Sequence, residues 1–281
     1  MGCLKIFKGT SSKGDSSLVA LTSSYINKVP LDKDGFILSE KCDSLLFSGL
    51  LAAAAPELDI DLTAARDATG SWHRRPNQDC GPRYNNSRSS ISRDMMVGVM
   101  WYAWRTKDLQ LVEDLFASLN GYTLPGSGDF ITRTLTPAMY KTLQLLIEKL
   151  GGAKAKFVIG GDALGKGDGF VAHLNVWHIL LRGEIEGGIV EPHYNLLKHH
   201  AEREPMNPLY LAAWAKYSGG SYLPAIIRLK QMFGPELPTT DDWCSEWIIE
   251  RDYDNKDWAP CSPHKQHTGA ELITIYRLIL E

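Results

Sequence analysis

The stretch Ser92-Arg93-Asp94-Met95-Met96-Val97-Gly98-Val99-Met100-Trp101-Tyr102-Ala103-Trp104-Arg105 decides the fold class. Its apolar residues do not alternate, so it is not a half-buried strand. They run almost all the way round a helix of 3.6 residues per turn, and a helix without a polar face is enclosed by other helices. The spacing predicts a helix over Ser90 to Arg105. A single buried helix needs partners, and the flanking sequence supplies them. Asp43 to Ala55 reads as a buried helix with Leu46, Leu50 and Ala54 on one stripe and Pro56 ending it. Asp108 to Leu119 follows after a very short turn. Thr136-Pro137 is a cap with proline at the first helical position, opening a helix that runs to Leu150 before Gly151-Gly152.

Further along, Leu174, Trp177, Leu181 and Ile185 recur at helical spacing within Val171 to Glu186. Shorter helices are expected at Glu191 to Glu202, Asn207 to Ser218 and Ser221 to Phe233. Thr268-Gly269-Ala270-Glu271 reads as a capping box that opens the last helix. The polar setting of His193, His199 and His200 predicts solvated histidines. Residues 1–40 read as an irregular N-terminal extension with a short helix near Leu18 to Ile26, and residues 41–281 as one helical domain. No convincing alternating strand is present. The expectation is an all-α chain of about ten to twelve helices. Tight turns on one side and long loops at Asp59 to Ser89, Tyr122 to Thr134 and Gly234 to His267 point to an (α/α) toroid, its long loops gathered on one face.

Composition narrows the function classes. The chain has 281 residues and is 44% hydrophobic and 22% charged, which suits a packed globular protein. Its formal net charge of −3 lacks the basic excess of a general nucleic-acid binder. No apolar run reaches the roughly 20 residues that span a bilayer. The N-terminus lacks the long apolar core of a secretory signal, and Ile6 stands where a myristoylation signal places Ser or Thr. Five scattered cysteines, an odd number, fit a reducing compartment better than a disulfide framework. A cytoplasmic or virion-associated protein is therefore expected, despite the sequon Asn85-Asn86-Ser87.

Two motifs are weighed and set aside. Gly160-Gly161-Asp162-Ala163-Leu164-Gly165-Lys166-Gly167 fits G-x-x-x-x-G-K, but Gly167 stands where a phosphate loop needs a hydroxyl for magnesium. It reads as a glycine-rich loop. Cys261, His264 and His267 have the ligand types of zinc, without the second tight pair of a strong site. No metal and no cofactor is therefore expected.

A third group points to carbohydrate. Trp72-His73-Arg74 lies in a long polar loop. Tryptophan offers a flat apolar face to a sugar ring, and arginine offers a fork to a carboxylate or sulfate. An Arg–Trp stack that pins the loop to the core explains the same residues. Asp43 and Asp94 stand at the entrances of two inner helices. Glycosidic cleavage needs such a carboxylate pair, one as acid and one as base or nucleophile. The helix dipole favours aspartate at those positions with no chemistry at all. Arg93, Trp72, His73, Arg74 and His267 are the expected substrate-binding companions.

The segment Cys42-Asp43-Ser44-Leu45-Leu46-Phe47-Ser48-Gly49-Leu50, together with Ser92-Arg93-Asp94, Gly98 and Trp101, resembles the inner-helix starts of six-hairpin (α/α)6 carbohydrate-active enzymes such as unsaturated glucuronyl hydrolases. The resemblance implies a hydrolase, less readily a lyase, acting on an acidic polysaccharide or oligosaccharide, with Asp43 and Asp94 as catalytic residues. The whole chain also resembles phage-encoded proteins. That resemblance implies the alternative of a non-catalytic virion or glycan-binding protein with virion or homo-oligomer partners. Neither reading involves nucleic acid or a membrane.

Overall fold

In the computed structural model, residues 6–7, 15–37, 44–76, 91–119, 135–154, 162–167, 170–233 and 270–281 are described. In chain order these form β1 (Ile6–Phe7), α1 (Ser16–Ile26), α2 (Ser44–Ala54), α3 (Arg93–Thr106), α4 (Leu109–Ala117), α5 (Pro137–Lys149), α6 (Phe170–Glu186), β2 (Ile189–Val190), α7 (Glu191–Arg203), α8 (Pro208–Ser218), α9 (Leu223–Met232) and α10 (Ala270–Ile275). Short 3-10 turns occupy Pro56–Leu58 and Leu62–Ala65, and a π-helical turn, Tyr276–Leu280, continues α10. The protein is all-α. The only strands among the described residues are β1 and β2, an antiparallel pair of two residues each that the sequence pattern does not announce. None of the described helices is long and apolar enough to cross a membrane.

The helix starts follow from capping chemistry. Asp108 accepts the amide of Leu111 at 2.9 Å, Thr136 that of Met139 at 3.2 Å, and Asn207 those of Leu209 and Tyr210. Each satisfies backbone donors that the first turn of a helix leaves unpaired. Helix α3 ends where Lys107 takes the left-handed conformation at φ 58°, and α4 starts two residues later.

The chain folds as two compact units, Leu31–Asp162 and Met1–Pro30 with Ala163–Glu281. In the Leu31–Asp162 unit, α2 and α3 form the centre, and every residue of α2 is buried. Their crossing is backbone against backbone. A Cβ on Gly49 would lie 2.5 Å from the Gly98 carbonyl oxygen, and one on Gly98 would lie 2.7 Å from Leu46 O and 2.9 Å from Leu45 O. Only glycine permits that approach. Helices α4 and α5 complete this unit, with α5 also touching α3.

In the other unit, α8 is central, packed against α6, α7, α9 and the π-helical turn. Lys216 of α8 ties these together, donating to Glu184 of α6 at 2.9 Å and to the Leu278 carbonyl at 3.1 Å. The segment expected to be an N-terminal extension supplies α1, whose Leu18, Thr22, Tyr25 and Ile26 are buried and which packs on α10. The expectation of solvated histidines is corrected for two of three. His193 and His200 are each 1% exposed, because they share the inner stripe of α7 with Leu196, Leu197 and Ala201. The His200 ring lies 5.3 Å from the Tyr210 ring on α8.

Candidate functional site

The described members of the expected site all belong to the Leu31–Asp162 unit. Trp72, His73 and Arg74 form one side of a small hairpin whose other side is the 3-10 turn Leu62–Ala65 and Arg66. Its rungs are the Arg66–Trp72 bridge and the His73 amide donating to Ala65 O at 2.9 Å. Asp67 organises the tip. Its carboxylate accepts the amides of Thr69 at 2.8 Å and Ser71 at 3.0 Å, the Thr69 hydroxyl at 2.6 Å, and the His73 Nε2–H at 3.0 Å. Partial burial disfavours the charge, but these donors outweigh it and hold the Asp67 carboxyl well below the usual carboxylate range.

Trp72 and His73 are enclosed, at 2% and 3% exposure. Arg66 lies over the Trp72 ring at 5.7 Å, and also reaches Gly70 O at 3.4 Å and the Asp114 carboxylate at 3.6 Å. This is the loop-pinning stack, formed by Arg66 rather than by Arg74. Arg75, next along the chain, pairs with Asp32 at 3.2 Å.

Arg74 links the hairpin to the helices, since its carbonyl oxygen accepts the Leu45 amide at 3.1 Å at the start of α2. Leu45 in turn touches Gly98. Asp94 stands four residues before Gly98, about 6 Å along the α3 axis. The start of α2, the Arg74 backbone and the first turn of α3 are thereby drawn into one neighbourhood. Arg93, half-buried, stands beside Asp94 at the start of α3.

Asp94 is 6% exposed. Among the described residues its one hydrogen bond comes from the Ser92 hydroxyl, a very short contact. Ser92 occupies the N-cap position of α3 yet makes no side-chain cap bond. The pair therefore does not do what serine and aspartate usually do at a helix start, which is to accept backbone amides. Asp43 and His267 lie outside the described residues, as do Cys261 and His264. Of the glycine-rich motif, Asp162–Gly167 has no helix or strand, and the Asp162 carboxylate is held by Lys141 at 2.8 Å and 3.0 Å. Among the described residues no group of three or more His, Cys, Asp or Glu side chains could hold a metal ion.

Asp67 was not singled out by sequence reasoning. The signal available was Asp67-Ala68-Thr69-Gly70-Ser71, a turn sequence in which an aspartate can gather following amides. Glu271 was read only as part of a capping box. Its partner Thr268 lies outside the described residues, and burial pushes its carboxyl up to about 8. His173, on α6, accepts the Trp177 indole N–H at 3.0 Å, and burial lowers its pKa to about 3, so it is a neutral core histidine. Comparison of the chain with protein-family models, with curated proteins and with solved structures finds no match.

Proposed function

We propose that the protein is a glycan-processing hydrolase acting on an acidic polysaccharide or oligosaccharide. Asp94 is one of its two working carboxylates, and Asp43, which precedes α2 in sequence, is the other. The observation that supports this most is the buried Asp94 carboxylate, served by a hydroxyl rather than by helix amides and set one turn from the contact between the starts of α2 and α3. Cleavage of a glycosidic bond requires one carboxylic acid to protonate the leaving oxygen. A second carboxylate must activate water or attack the anomeric carbon, with the two about 5 to 10 Å apart. Arg74 and Arg93 would meet the carboxylate or sulfate of the sugar with charge-assisted hydrogen bonds.

This reading carries with it the (α/α) toroid and work inside a cell or a virion. The screen that tests it incubates the protein with tetragalacturonate, a hyaluronan tetrasaccharide and an unsaturated chondroitin disaccharide, and follows new reducing ends and anomeric proton signals. Turnover of at least one substrate, with a single anomer formed first, is expected. Binding without turnover would replace the hydrolase by the non-catalytic glycan-binding or virion protein. Neither binding nor turnover would remove the carbohydrate reading.

A further inference from the structure

The ion pair between Arg75 and Asp32 leaves a donor over. Asp32 belongs to a small hairpin closed by the Leu31–Ile37 bridge and fastened to α2 by the Ile37 amide, which donates to the Ser48 hydroxyl oxygen at 3.0 Å. The Asp32 carboxylate is divided. Its Oδ1 accepts the amides of Asp34 at 2.9 Å and Phe36 at 3.0 Å, and its Oδ2 accepts from Arg75 Nη2 at 3.2 Å. A guanidinium and a carboxylate frequently close on each other with two parallel bonds. Here the turn amides hold the second oxygen back, and Arg75 Nε is buried with no hydrogen-bond partner. The guanidinium cannot escape this by losing a proton, because arginine stays charged. A buried donor without an acceptor is unfavourable, and a ligand that brings an acceptor relieves it. The Arg75 side chain is 29% exposed, so an oxyanion can approach the guanidinium from solvent.

We propose that Arg75 is a further fork of the site, binding a carboxylate of the acidic sugar, with Asp32 as the residue that positions it. The inference rests on the glycan reading above and deepens it. To Arg74 and Arg93 it adds a residue that selects the ionised acid over its uncharged ester. The neighbourhood is shared, since Arg75 follows Arg74, whose carbonyl oxygen accepts the Leu45 amide at the start of α2. The ligand carboxylate takes Nε–H and a remaining Nη hydrogen, while Asp32 Oδ2 keeps its own bond and holds the plane of the fork. Arg66 is committed to Trp72, Gly70 and Asp114 and takes no part.

Two variants separate recognition from mere hairpin pinning. Arg75→Lys keeps the positive charge and the pair with Asp32 and loses the planar fork. Arg75→Ala loses both. With tetragalacturonate as probe, Arg75→Lys is expected to melt close to the unaltered protein and to bind at least about tenfold more weakly, a loss of about 1.4 kcal/mol per factor of ten. The fully methyl-esterified tetragalacturonate has the same skeleton and no charge, and it should bind both proteins alike. Arg75→Ala is expected to melt lower, because Asp32 then lacks its partner. Nitrogen NMR of the labelled guanidinium should show an Arg75 Nε–H resonance that moves on adding tetragalacturonate and stays in place with the ester.

An Arg75→Lys protein that binds the acid like the unaltered one, an equal loss for acid and ester, or an Nε–H resonance indifferent to the acid would each overturn the inference. Should Arg75→Lys melt far lower, the resonance of the unaltered protein decides. Failure of the hydrolase reading is recorded separately, by turnover and its response to Asp94→Asn. It leaves the difference between acid and ester standing. No binding of the acid by the unaltered protein overturns the glycan reading and this inference together.

Discussion

Asp67, part-exposed, and Asp94, buried, belong to one unit, and their surroundings differ. Asp67 is saturated with donors, a structural anion. Among the described residues Asp94 has one, the Ser92 hydroxyl. Ser92→Ala therefore strips Asp94 of its described partner, and a buried group left unpaired costs about 1 to 3 kcal/mol. Thermal melting should fall by that amount, and substrate turnover should fall with it if the carboxylate is a working one. Trp72 gives a second prediction at this scale. Because it is 2% exposed under Arg66, Trp72→Ala should destabilise the protein by about 3 to 5 kcal/mol, as core truncations of aromatics do. A denaturation midpoint unchanged by that substitution would mean that the indole is displayed to ligand rather than packed.

Elements carry the geometry of the site through one crossing. Gly49 and Gly98 let α2 and α3 touch backbone to backbone, and this contact sets how far the two helix starts lie apart. Gly98→Ala forces a methyl into the Leu45 and Leu46 backbone, which has no flexible end to give way. The cost should be at least about 1 to 3 kcal/mol. Activity per folded molecule should also fall, since the starts of α2 and α3 would be pushed apart. Gly151→Ala is no control for volume alone, because its φ of 98° adds strain of its own. At the far end of the chain, Asn207→Ala should cost about 0.5 to 2 kcal/mol by uncapping α8, with no effect on turnover.

These elements were largely legible in the sequence. The apolar circumference of α3, the Asp108 and Thr136 caps and the spacing of Leu174, Trp177 and Leu181 each translated into a helix with ends within a few residues of those expected. Periodicity and capping are local, and local signals survive without tertiary context. The contacts that define the site are not local. Arg66 over Trp72, Arg74 O on the Leu45 amide and Gly98 on Leu46 join residues that no spacing rule connects. The polar face assigned to His193 and His200 failed for the same reason. Two histidines seven residues apart lie on one stripe, and whether that stripe is wet depends on α8, which the local pattern does not include.

For the whole molecule, the dependence of stability on pH follows from two carboxyls of opposite behaviour, the part-exposed Asp67 and the buried Glu271. Asp67 is held below its ordinary range, so its contribution is present above the unfolded carboxylate pKa near 4 and is lost as pH falls through the folded value. Glu271 is pushed up to about 8 from a model-peptide value of 4.5, so its protonated form favours the folded state at low pH. That contribution is lost as pH rises from about 4.5 to about 8, where the unfolded chain ionises and the folded one does not. Stability should therefore peak in mildly acidic solution and decline toward both sides. Glu271→Gln should flatten the decline between pH 5 and 8, and Asp67→Asn should blunt the acid limb. Denaturant unfolding across that range measures both.

The central claim is that Asp94 is a working carboxylate rather than a helix-start residue. The most direct test measures turnover of the best acidic oligosaccharide by Asp94→Asn alongside its melting temperature. The substitution keeps the shape and removes the exchangeable acid. kcat is expected to drop by at least about a hundredfold, the scale of lost general acid–base catalysis, with the melting temperature nearly unchanged. An Asp94→Asn protein that turns over substrate at the rate of the unaltered one would contradict it.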